Sequence, residues 1–211
     1  MKEIEARFVT SDPSVFDRLL AYQRLGSYEV RFRERQLLVT DYLDTERWDL
    51  LKARSALRLC RRGRDCSVCL QTLCKRSGMV EVRDEFEEPL PDGYPARIDT
   101  LSCGVMDRVR KLTRERPLLV VLTIENNRTI LDLVRGGGKC FEMVLDDVEF
   151  VNACDQRRHF EVEIECCTGD QFELEALLGI IGSGFELEQS RESKFERGLR
   201  LTRSWPAGLK W

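Results

Sequence analysis

The strongest signal in the chain is a two-residue alternation of charged and apolar positions. Glu3-Ile4-Glu5-Ala6-Arg7-Phe8 opens it, with charge at each odd position and an apolar side chain at each even one. Successive side chains of a strand point to opposite faces, so two carboxylates and a guanidinium share one face while Ile4, Ala6 and Phe8 share the other. The pattern returns at 56–62, where Leu57 and Leu59 oppose Arg58, Cys60 and Arg62, and at 79–88, where Arg83, Glu85 and Glu87 share a parity. It returns again at 141–146, with Glu142, Val144 and Asp146 together, and at 160–166, with Glu161, Glu163 and Glu165 opposite Phe160, Val162 and Ile164. Residues 28–44, 66–75, 118–124 and 128–134 supply further extended runs.

Helical spacing is confined to a few segments. Ser11-Asp12-Pro13 is a helix start, followed by Phe16, Leu19, Leu20 and Leu25 and closed by Gly26. Ile98, Leu101, Val105, Val109 and Leu112 predict a second helix, and Phe172, Leu174, Leu177, Leu178 and Ile181 a third after Gly169-Asp170. Residues 46–54 read as a short helical or turn segment, and 190–198 as a short helix or loop. Gly136-Gly137-Gly138 precedes a strand, so it predicts a hairpin turn; a phosphate-cradling loop would need a helix N-terminus after it.

Composition narrows the partners. A net charge of −3 argues against a nucleic-acid partner recruited by bulk electrostatics. The chain has no run of 18 apolar residues, so no membrane span is expected, and its opening strand pattern argues against a signal peptide; the cytoplasm is the expected location. Nine cysteines then read as reduced thiols. Cys66-x-x-Cys69, with Cys60 and Cys74 near it, invites a metal reading, but no second Cys or His pair lies at zinc-finger distance. His159 is the single histidine, which argues against a histidine-based triad.

A solvated outer face explains any one of the charged faces. It explains less well why glutamate, depleted in strands, occupies three alternate positions at Glu161, Glu163 and Glu165. Like charges at that spacing repel unless a cation sits among them. Mg²⁺ or Mn²⁺ takes oxygen ligands and shares them with phosphates, and arginine and lysine suit the phosphates themselves. An α+β fold follows: a closed antiparallel β-barrel with a polar charged lumen, its apolar faces packed outward against helices at 12–25, 95–112 and 170–181.

The order of these pieces resembles the CYTH family, the triphosphate tunnel metalloenzymes. Glu3-x-Glu5-x-Arg7 is similar to the family's E-x-E-x-K, Asp41-Tyr42-Leu43-Asp44-Thr45 to its Y-F-D-T element and Ala56-Leu57-Arg58 to its A-L-R strand. Arg83-x-Glu85-x-Glu87 resembles R-x-E-x-E, and Glu142-Met143-Val144-Leu145-Asp146 resembles E-x-x-L-D. Glu161-x-Glu163-x-Glu165 resembles E-x-E-x-E, and Ser193-Lys194-Phe195-Glu196-Arg197-Gly198 the closing S-K-x-x-R-G. The resemblance implies one domain over 1–211, with its core at about 1–202 and a short tail at 203–211, folded as an eight-stranded tunnel. It implies metal-dependent hydrolysis of inorganic tripolyphosphate or an organic triphosphate such as thiamine triphosphate. Glu3, Glu5, Asp146, Glu161 and Glu163 would hold Mg²⁺ or Mn²⁺. Arg7, Arg58, Lys75, Arg128 and Lys194 would bind the triphosphate, with Glu5, Arg7 and Glu85 serving the chemistry. The partner is then a triphosphate-containing small molecule, with neither nucleic acid nor membrane, and a homodimer is left open.

Two departures keep alternatives alive. Arg7 stands where the family has lysine, and Cys60 where the A-L-R-x-R strand has a second basic residue. The expected lysine of the next strand falls at Cys74 or Lys75. A class IV adenylyl cyclase and a phosphate-binding module without turnover are the competing readings.

Overall fold

In the computed structural model the described residues are 2–206 apart from 73–74, 78–79, 91–92, 94, 96–97, 152, 154–156, 169, 191 and 205, with the side chains of residues 2, 75–77, 99 and 183 also outside the description. In chain order the strands are β1 (Lys2–Thr10), β2 (Arg24–Leu25), β3 (Tyr28–Asp44), β4 (Ser55–Arg62), β5 (Asp65–Thr72), β6 (Lys75–Ser77), β7 (Val80–Pro89), β8 (Leu119–Arg135), β9 (Gly138–Phe150), β10 (Arg158–Cys166) and β11 (Glu188–Gln189). The helices are α1 (Ser14–Ala21), α2 (Asp49–Lys52), α3 (Gly104–Thr113), α4 (Gln171–Gly184) and α5 (Lys194–Leu201). Eight strands pair antiparallel in the order β1-β10-β9-β8-β3-β4-β5-β7, and β7 returns to β1 through Glu3 opposite Arg83 and Glu5 opposite Glu81. The sheet thereby closes into the barrel that the alternation predicts, leaving its frame without a free edge.

The two faces of each strand meet different surroundings. Outward-facing Ala6, Phe8, Met143, Leu145, Val162 and Ile164 pack with Leu19 of α1 and Leu174, Leu177, Leu178 and Ile181 of α4. Leu57, Leu59, Val68 and Leu70 pack with Leu50 of α2 and Val105, Met106 and Val109 of α3. The third cluster has the opposite parity. Tyr42, Ala56, Leu122, Ile124, Val148 and Phe150 share the face of Arg58, Arg128 and Asp146, and Phe195 and Leu199 of α5 pack on them. So α5 seats its apolar face on inward-pointing residues at one end of the barrel.

Local chemistry explains where the elements differ from the expected bounds. The first helix ends at Ala21 because Tyr22 is extended, and Gly26, at φ +57°, turns the chain so that Arg24 and Leu25 pair with β3. The second begins as a 3-10 turn at Ile98–Thr100, and its α-helical part starts at Gly104. There a carboxylate of β7, Glu88, accepts hydrogen bonds from the Gly104 and Val105 amides at 3.2 and 2.9 Å. The runs at 118–124 and 128–134 are one continuous strand, β8, paired with β3 on one side and β9 on the other. The extended run expected at 66–75 ends as β5 at Thr72, and β6 is a separate short strand. Gly136 and Gly137, at φ +62° and +84°, form the expected hairpin turn.

Candidate active site

The barrel encloses a cavity of about 340 Å³ whose wall mixes cations and carboxylates. Cross-strand register builds it in rows: Glu5 of β1 lies opposite Glu165 of β10, which lies opposite Glu142 of β9. Arg7 faces Glu163, and Asp146 stands between Glu161 and Arg128. Of the residues expected from sequence, Glu3, Glu5, Arg7, Arg58, Arg128, Glu163 and Lys194 all reach this wall. Glu85, Asp146 and Glu161 lie behind it as partners of its cations. The side chain of Lys75 falls outside the described residues.

Each cation is held by named acids. Arg128 donates from Nε and Nη2 to both oxygens of Asp146, at 2.8 and 2.7 Å, and from Nη2 to Glu163 at 3.0 Å. Arg58 donates to Glu85 Oε1 at 2.7 Å, which also accepts from Gln71 Nε2 at 3.0 Å and the Cys69 thiol at 2.9 Å. Lys194 reaches Asp146, Glu161 and Glu163 at 2.9, 2.6 and 2.7 Å. It is the first residue of α5, where the helix dipole disfavours a cation, so these three carboxylates fix it. Ser193 and Glu196 close the same helix end with a capping box.

Arg7 is 2% exposed. Its guanidinium pairs with Glu81, with Nε standing 3.4 Å from Glu5 Oε1. The arginine thus meets two buried carboxylates through different nitrogens of one planar guanidinium. Cys60, half-buried, accepts a weak contact from Thr40 Oγ1 at 3.8 Å. Cys66 and Cys69 point to opposite faces of β5, Cys66 into the outer core and Cys69 toward Glu85, so their spacing does not make a shared site.

Burial sets the titration behaviour of the carboxylates. It pushes Glu5 up to about 8 against the pull of Arg83, with Glu163 adding to the rise. It pushes Glu165 to about 7, helped by Glu3, Glu142, Glu85 and Glu163. Burial acts the same way on Glu163, but Lys194 and Arg128 outweigh it and hold that carboxyl well below its ordinary range. Burial would also drive a proton off Lys194, but Asp146, Glu161 and Glu163 keep it charged.

Several wall residues had no role assigned from sequence. Arg83 donates to Glu3 at 2.5 Å and Glu5 at 3.1 Å, and Glu142 and Glu165 complete the acidic side. Their signal was the parity of the motifs that contain them. Tyr42 lines the cavity and stacks on Phe195, with centroids 4.8 Å apart. Asp44, in the Y-F-D-T-like element, holds the local backbone together. Its carboxylate accepts from the amides of Thr45, Leu50 and Leu51, tying the end of β3 to α2.

An oxygen-only donor set fits a hard divalent cation. Glu5 Oε1 is buried without a hydrogen bond and is held by charge from Arg83 at 3.0 Å and Arg7 at 3.4 Å. Among the described residues no three acidic, cysteine or histidine side chains converge as a ready-made metal cluster. The carboxylates are spaced along the wall with guanidiniums between them.

The model of the CYTH domain matches residues 1–199. The chain belongs to the CYTH family. Members of this family are triphosphatases or adenylyl cyclases, and its tunnel enzymes depend on metal. HpAC1 from Hippeastrum, named for adenylyl cyclase and described as having a dominant triphosphatase activity, has the same fold. It is 22% identical with a TM-score of 0.74, covering 96% of this CYTH chain and 95% of its own. A Bacillus halodurans protein described as a candidate adenylate cyclase is 19% identical over 93% of this chain and 97% of its own, with a TM-score of 0.63. The PH1819 protein of Pyrococcus horikoshii is 18% identical over 94% and 98%, with a TM-score of 0.60. A sequence comparison with curated proteins finds no match. Among the described residues of this CYTH protein no helix is long and apolar enough to cross a membrane.

Proposed function

We propose that this CYTH chain hydrolyses a triphosphate inside its tunnel with the help of a divalent cation. The observation that carries the reading is one cavity whose wall holds Arg58, Arg83, Arg128 and Lys194 beside Glu3, Glu5, Glu163 and Glu165. Such a wall can take an oligo-anion and a hard cation together, which neither a purely basic nor a purely acidic pocket does. Mg²⁺ or Mn²⁺, when bound, would neutralise phosphoryl charge and make a water more acidic.

The chain's own groups divide the remaining work. Glu3, Glu5 and Glu163 face the cavity as metal ligands, with Asp146 and Glu161 behind them on Lys194. Arg58, Arg128 and Lys194 bind phosphoryl oxygens, and Lys75 is a further candidate of this kind. Glu85 orients Arg58. Arg7 keeps its proton at any working pH, so it orients Glu5 instead of exchanging protons. Glu165, whose carboxyl burial and its acidic neighbours push up, faces the same cavity and is the candidate to take the proton of the attacking water. The water oxygen bonds to the terminal phosphorus as the anhydride bond breaks, and the leaving oxygen's charge falls to the guanidiniums.

The test is to supply the protein and Mg²⁺ or Mn²⁺ with tripolyphosphate, thiamine triphosphate or ATP. Orthophosphate release, lost in Glu5→Gln, is the expected result. Cyclic AMP with pyrophosphate would replace the reading by cyclisation, and tight binding without product would replace it by a binding module.

A further inference from the structure

The single histidine does not sit in the outer core. His159 lies on β10 two residues before Glu161, hence on the inward face, 9% exposed. Its Nε2 stands 3.1 Å from Glu161 Oε2, and its ring lies beside that of Phe150, with centroids 6.2 Å apart. Glu161 is fully buried, and its other oxygen, Oε1, accepts from Lys194 Nζ at 2.6 Å. Of these three side chains only Lys194 lines the cavity. The order is therefore histidine, carboxylate, ammonium, cavity.

A lysine ammonium is a point charge on a flexible stem, so its place depends on what holds it. A carboxylate bonded at both oxygens cannot rotate without losing a bond in a buried setting, where an unsatisfied polar atom is costly. We propose that His159 is a positioning residue for triphosphate binding: it fixes Glu161, which together with Asp146 and Glu163 holds the Lys194 ammonium at the cavity wall. Around metal-ligating residues, partners of this outer kind matter by about 10- to 100-fold in affinity or activity, and the lower figure is taken here for Lys194. The inference rests on the tunnel being the triphosphate site, but its local part concerns Lys194 alone.

Two variants separate the hydrogen bond from the packing. His159→Phe keeps a ring beside Phe150 and removes the nitrogen, whereas His159→Gln places a donor near the Nε2 position without the ring. In tripolyphosphate hydrolysis with Mg²⁺, His159→Phe should raise KM by about 10-fold with kcat little changed, and His159→Gln should recover most of that loss. In the ligand-free protein, the ¹⁵N resonance of the Lys194 ammonium, identified by its loss in Lys194→Arg, should shift in His159→Phe and stay near its place in His159→Gln. Equal behaviour of the two variants in that spectrum, or an unmoved resonance in both, overturns the proposal. If His159→Phe fails to fold, His159→Leu takes its place against His159→Gln in the same spectrum. Failure of the wild-type protein to bind tripolyphosphate would instead refute the tunnel reading, and the spectrum would still decide what His159 does.

Discussion

Glu5 shows what burying a carboxylate among both signs of charge does to one residue. Its folded-state value is raised from 4.5 to about 8, chiefly by burial. A raised acid binds more protons when folded than when unfolded. The stability it contributes is therefore fully present below 4.5 and lost as pH rises through about 8. Glu163 and Glu85, held low by Lys194 and Arg58 against the effect of burial, act in the opposite sense and lose their contribution in acid. In metal-free protein, the fall in melting temperature between 4.5 and about 8 should be shallower for Glu5→Gln than for wild type. If Glu5 ligates the cation as proposed, binding needs its ionised form, so the Mg²⁺ concentration that half-saturates the wild-type protein should fall as pH rises toward about 8. Calorimetry over that range checks both signs, and an unchanged melting profile in Glu5→Gln would remove Glu5 from the titrating set. The alternation in sequence already placed Glu5 on a charged face. It carried no information about the neighbours that set its proton affinity, because Glu81 and Arg83 come from β7, far along the chain.

Among the elements, α5 matters most to the site, and Gly198 explains how it is seated. A Cβ at Gly198 would collide with Leu122 Cδ2 and stand 2.8 Å from its Cδ1, closer than packed atoms allow. The glycine thus lets α5 rest directly on β8, and Lys194 lies one turn earlier on the same helix. Gly198→Ala should lift the helix, costing roughly 1–3 kcal/mol in urea unfolding. Because the lifted helix carries Lys194 with it, KM for tripolyphosphate should rise while Glu3, Glu5 and Arg58 stay in place. A destabilised variant with unchanged KM would show that Lys194 is held by its carboxylates without help from the helix. The motif Ser193-Lys194-x-x-Arg197-Gly198 was legible in sequence, but its secondary structure was not, since eight residues with mixed polarity suit a short helix or a loop equally. His159 was legible only as a residue without catalytic company. What it touches depends on the pairing of β10 with β9 and on α5 arriving from the chain's end. Strands were easier to read, because their parity follows from local sequence and barrel closure puts every charged parity on one side.

At the scale of the whole molecule, closure is what turns separate charged faces into one site. Pairing of β7 with β1 brings Arg83 onto Glu3 and Glu5, and it brings Glu81 to Arg7. The resulting lumen balances its charges internally, as the pairs of Arg58 with Glu85 and Arg128 with Asp146 show. That balance has a consequence for ligands. Tripolyphosphate alone would bring negative charge against Glu3, Glu5, Glu163 and Glu165, and a divalent cation alone would bring positive charge against Arg83 and Arg128. Supplied together, each offsets the repulsion met by the other, so the two should bind with positive coupling, and each should tighten the other by the same factor. A ligand pair present at about 100 times its dissociation constant stabilises the folded state by roughly 2.7 kcal/mol. For a domain of this size that corresponds to a rise in melting temperature of roughly 5–10 °C. Thermal unfolding with Mg²⁺, with tripolyphosphate and with both should therefore give a joint shift larger than the sum of the separate ones. Additive shifts would mean that the acidic half of the wall takes no cation beside the phosphate. The tunnel would then be an anion-binding site in which the carboxylates serve only to hold the guanidiniums in place.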